Sequence, residues 1–150
     1  MFIERQVLIM NVKDYLSQGF RIYKKIYTKT EQIQQLSDLA TKCTVELNGM
    51  PSSGNKGNDK VGDTVAKICD MQNKLVDDIN HLVDIRVNIY DAISQLDRDE
   101  YALILEKRYI LYESWEVIAV DLDYDLRYLH RLHKKALAAV EPFLLDKIAS

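Results

Sequence analysis

The chain has 150 residues, with 20 basic and 23 acidic side chains and a formal net charge of -3. That length supports one domain, or a small domain with an extension, whose core needs neither a disulfide nor a metal. An apolar fraction of 47% beside 29% charged residues fits a folded soluble chain rather than a disordered one; the acidic balance leaves nucleic-acid binding only to a local basic patch.

Five glycines and two prolines favour long helices, and the expected class is all-α. The first stretch, MFIERQVLIMNVKDYL, is broken by Glu4, Arg5, Lys13 and Asp14. It lacks the uninterrupted apolar run of a secretion signal or a membrane span, so the expectation is a cytoplasmic protein with no membrane partner. Cys43 and Cys69 are too few and too far apart for a CxxC metal site and read as small buried side chains in a reducing compartment.

Residues 1–96 carry a seven-residue apolar repeat. Val12, Ile26, Ile33 and Ala40 share one column, with Gly19 between the first two. Tyr15, Ile22, Leu36 and Cys43 share its partner, interrupted by Lys29. NGMPSSGNKGND, residues 48–59, has no helical period and reads as a surface loop reaching to about 63. After it, Ile68, Leu75, Leu82, Ile89 and Leu96 fall seven apart without a miss. Val65, Ile79 and Ile93 form the second column, with Gln72 and Arg86 as intruders that either fix register or lie at a wet edge. Such spacing suits helices packed along their length, while Val76, Val83 and Tyr90 widen the stripe enough for more than one neighbour. The seam closes equally well within one chain, as an antiparallel hairpin, or between two chains, as a homodimer.

Residues 97–150 read as a second domain of short helices. Asp97 is placed to cap a helix starting at Arg98, in which Tyr101, Ile104, Leu105 and Tyr109 fall near one face. Ser114 caps WEVIAVDL, and Asp125 caps a helix from Leu126 to about Val140, where Pro142 stops it. On that last helix Leu129, Leu132, Ala136 and Val140 gather on one side, with Leu126 and Leu137 at its edge. Arg127, His130, Arg131 and Lys134 follow at i, i+3, i+4 and i+7 on the other, flanked by Tyr128 and Lys135. Ile118 and Leu122 face the core, and Ala119 is small where two helices cross. A short helix, a tight turn at 122–125 and a helix basic on its outer side make a helix-turn-helix, with one helix sized for the major groove of DNA.

The segment LEKRYILYESWEVIAVDLDYDLRYLHRLHKKAL resembles region 4 of sigma-70-type factors, and more closely phage late transcription regulators of the ArpU and RinA type. Arg108, Tyr109, Ile110, Ser114, Trp115, Glu116, Ile118, Ala119, Leu122, Tyr124, Leu129, Arg131, Leu132, His133, Ala136 and Leu137 carry the likeness. Towards the N-terminus it rests on helical pattern and the Met50–Pro51 loop. It implies a non-enzymatic regulator of phage or mobile-element late genes, acting in a bacterial host cell on double-stranded DNA and with host RNA polymerase. Arg127, Tyr128, His130 and Arg131 would then lie nearest the bases, with Lys134 and Lys135 at phosphates. The chain departs from the pattern at Asp123, where Gly is usual, and at Asp125, where Ser is usual; both put negative charge near the DNA. A packaging protein like a terminase small subunit and a helical polymerase adaptor are the competing readings.

His130 and His133 stand three apart with no further ligand on that face, so no metal is expected. No nucleophile or glycine-rich phosphate loop accompanies the acid pairs, so neither catalytic residues nor a cofactor is expected. Trp115 reads as a packing residue at the start of its helix.

Overall fold

A computed structural model describes the backbone of residues 2–48 and 56–148 and the side chains of residues 12–43 and 60–148. All regular structure among these residues is helical. Two long helices, α1 (Phe2–Asn48) and α2 (Lys56–Ser94), precede α3 (Asp99–Tyr109), α4 (Trp115–Leu122) and α5 (Leu126–Val140); a 3-10 turn at Glu141–Phe143 and α6 (Leu145–Ile148) follow. The loop expected to reach 63 is shorter: helix begins at Lys56, since a long helix propagates more cheaply than it nucleates and carries weak formers such as Gly57 and Gly62 along. The remainder of that loop, 49–55, lies outside the described residues.

The chain divides into two compact units, Met1–Arg21 with Leu82–Ser150, and Ile22–His81. The expected boundary at 96/97 therefore falls inside the first unit. There the start of α1 and the end of α2 are joined to the short helices. Asn88 Nδ2 donates to Tyr15 Oη at 3.5 Å. Arg86, an intruder in the apolar column, donates from Nε to Tyr112 Oη at 3.3 Å and lays its guanidinium on that ring. Phe20 meets the same ring edge-on, and a Cβ on Gly19 would come within 2.7 Å of the Tyr112 hydroxyl. Val12, Leu16, Ile85, Ile89, Ala92 and Ile93 are buried in this unit together with Leu105, Tyr109, Leu137, Val140 and Leu144.

In the second unit Lys29, the residue that breaks the α1 seam, donates to Asp78 Oδ2 at 2.6 Å, and Lys25 lies 3.7 Å from Oδ1. That pairing bridges the two long helices. The Lys29 hydrogen bond holds the Asp78 carboxyl below the usual carboxylate range. Cys43 and Cys69 are free and exposed, contrary to the buried environment expected of them. Cys43 continues an apolar column of α1, whereas Cys69 lies in line with Val76 and Val83, beside the seam columns of α2, and both are exposed among the described residues.

Candidate nucleic-acid interface

Residues 99–140 assemble as three helices around Ile104, Ile118, Ala119, Leu129 and Leu132, with Tyr101, Trp115, Leu122 and Tyr124 packed against them. α3 does not start where expected. Arg98 occupies the cap position without a side-chain cap, and the helix begins at Asp99. Asp99 and Glu100 in its positive first turn supply stabilisation that Asp97 does not. Ser114 Oγ accepts from the Val117 N–H at 3.3 Å and starts α4. That helix ends at Asp123, whose φ of 56° and ψ of 45° are left-handed; its N–H and that of Tyr124 close the turn on Val120 and Ala119 carbonyls. Asp is among the few non-glycine residues that adopt this conformation readily. Asp125 Oδ1 then accepts from the Tyr128 N–H at 2.8 Å and starts α5.

The inner face of α5 is fixed by burial. Leu129, Leu132, Ala136 and Val140 are buried as their spacing predicts, and Leu137, placed at the edge by the wheel, is buried as well. His133 is 6% exposed. Its Nε2 lies 2.6 Å from Tyr109 Oη. Burial pushes the imidazole pKa down to about 4 and the Tyr109 phenol up from its ordinary value. With a neutral ring and a protonated phenol the tautomer sets the direction: Tyr109 donates when the imidazole proton sits on Nδ1, and His133 donates when it sits on Nε2. The Trp115 ring touches both His130, at 5.0 Å between centroids, and His133, at 4.5 Å, and the Arg108 guanidinium covers it at 4.7 Å. His133 is thus committed to packing, while His130 is exposed.

The outer face presents Arg127, Tyr128, His130, Arg131, Lys134 and Lys135, all exposed. Among the described residues none of the four Arg and Lys side chains has an acidic partner. Tyr128 leans edge-on against Tyr124 at 5.0 Å, and Arg131 lies over the Tyr128 ring at 5.7 Å. The expected set of six is therefore gathered on one surface, four cationic groups with an aromatic at its N-terminal end.

Two groups missed in the sequence act on residues of α4 and α5. Lys107 lies 3.2 Å from Asp121 Oδ2 and 3.4 Å from Glu113 Oε2; the Asp121 hydrogen bond leads in raising its pKa. It pairs with one of the acids beside the turn, and Asp125 accepts the cap hydrogen bond of its own helix. Lys13 of α1 is exposed and close enough to His133 to help lower that pKa, second to burial. Neither was legible, because the partners are separated by 14 and by 120 residues. No family model, curated protein or solved structure matches the chain.

Proposed function

We propose that the chain is a sequence-specific double-stranded DNA-binding regulator of transcription, an activator of phage or mobile-element late genes rather than an enzyme, acting in the cytoplasm of a bacterial host. The observation that carries this reading is the outer face of α5: cations without acidic partners, on a helix whose other side is locked into a helix-turn-helix core. Phosphate contacts supply affinity, and arginine at base edges supplies specificity. Of the acids around the turn, Asp121 is paired with Lys107 and Asp125 accepts the cap hydrogen bond of α5, while Asp123 is exposed and has no ion pair among the described residues, so it opposes this face.

Selection from a random duplex pool at physiological salt tests it, with the wild type against Arg127→Ala plus Arg131→Ala. The expected outcome is a motif that the double variant loses. Failure of the wild type to enrich any sequence, with or without polymerase, would sink the proposal. One observation favours a second reading, a helical adaptor that docks host RNA polymerase: Val120 stands 80% exposed on α4, with Leu111 and Val117 also exposed. A polymerase pull-down that survives Arg127→Ala plus Arg131→Ala, together with no DNA binding by the wild type, would support it.

A further inference from the structure

The 22–81 unit has a second apolar face that its own two helices do not use. Among its described residues only Ile33 and Ile68 are buried hydrophobics. On α2, Ile68 is buried and Leu75 half-buried on the side that carries Asp78, the residue bonded to α1. Adjoining that side, and reaching round the helix from Ile79 to Ala66, is a second arc: Val65, Ala66, Cys69, Gln72, Asn73, Val76, Ile79 and Asn80, every one exposed and none charged. At 3.6 residues per turn this arc is roughly 140° wide. The charges between 60 and 80, namely Lys60, Asp63, Lys67, Asp70, Lys74, Asp77 and Asp78, are confined to the rest of the helix. Val65, Val76 and Ile79 are 48%, 53% and 41% exposed. On α1, Tyr27 and Leu39 are exposed as well.

A helix whose only partner covers one stripe keeps its other faces polar. This one instead interleaves acids and lysines on one arc and excludes charge from another as wide as a packed helix needs. We infer that this arc is the seam of a homodimer, in which two copies of the 22–81 hairpin associate as a four-helix bundle. Three features select a second copy over an unrelated protein. The arc carries no charge, so it meets itself without repulsion and offers a foreign helix none of the complementary charges that normally select partners. Its polar members are the amides Gln72, Asn73 and Asn80, and an amide is both donor and acceptor, so it pairs with its own kind across a twofold axis. Two helices with so few buried side chains lack the core that four provide. None of this depends on DNA binding.

Sedimentation equilibrium of the full chain at micromolar concentration tests the inference, comparing the wild type with Asn73→Glu plus Val76→Glu. Both sites are exposed and glutamate is a good helix former, so the substitutions act on association and not on the helix propensity of α2. The expected result is twice the chain mass for the wild type and one chain mass for the variant. Alkylation of Cys69 in the wild type should be several-fold slower in the associated state than after dilution to monomer. A wild type that stays monomeric or forms a higher oligomer, a variant that remains dimeric, or Cys69 labelling indifferent to association would each overturn the seam.

Discussion

His133 shows how one buried side chain ties stability to pH. In the folded chain its imidazole titrates at about 4, against 6.5 when free. Between those values the unfolded chain binds a proton that the folded chain refuses. Stability is therefore level above about pH 6.5 and falls as the pH drops towards 4, by on the order of 3 kcal/mol. Urea unfolding at neutral pH and near pH 4.5 should record the loss, and His133→Gln should flatten it. Tyr109→Phe removes the hydrogen-bond partner of His133 Nε2 and is expected to cost about 1–3 kcal/mol. On the outer face single residues separate by role. Arg127→Ala should weaken binding to the selected site by about 1–3 kcal/mol and relax one base position, while Lys134→Ala should weaken all sequences alike and lower the salt slope by about one unit. An unchanged slope would remove Lys134 from the phosphates.

Among the elements, the turn between α4 and α5 does two things that substitutions can divide. Asp123 holds a left-handed backbone, so Asp123→Gly should keep or slightly raise stability, measured by thermal unfolding, and tighten DNA binding by deleting a negative charge. Ser114→Ala should cost about 1 kcal/mol through the lost cap of α4. These caps were legible in the sequence because a cap is local: the side chain and the N–H it accepts from lie three residues apart. The core of α5 was legible for the same reason, since 3.6-residue periodicity places Leu129, Leu132, Ala136 and Val140 together. What was not legible came from partners far along the chain. Leu137 falls at the edge of the apolar side of α5 by spacing, but it is buried in a unit that also includes the start of α1 and the end of α2. The start of α3 slipped by one residue because Asp97 and Asp99 offer competing ways to satisfy the same helix end.

For the molecule as a whole, the consequential departure is the division of the chain. Composition and loops suggested a hairpin ending at 96 and an independent domain from 97. The structure instead gives the short helices, the start of α1 and the end of α2 to one unit. Leu105, Leu137, Val140 and Leu144 are buried in that unit alongside Val12, Leu16 and Ile89. A fragment of residues 97–150 should thus lack a cooperative thermal transition, whereas the full chain shows one; a sharp transition in the fragment would restore the boundary at 96. Gly19→Leu tests the same junction within the intact chain. The added side chain must displace Tyr112 from its place against Arg86, with an expected loss of about 1–3 kcal/mol.

Trp115 is the chain's one tryptophan, and it sits where three events converge. It packs on the helix-turn-helix core, it touches buried His133, and it touches His130 on the basic face. Its emission is therefore a built-in optical reporter that needs no label. Unfolding exposes the indole to water, charging of the His133 imidazole quenches it, and a ligand that displaces His130 alters it while the core stays intact. One spectrum recorded across denaturant, pH and added duplex would follow all three from a single atom group.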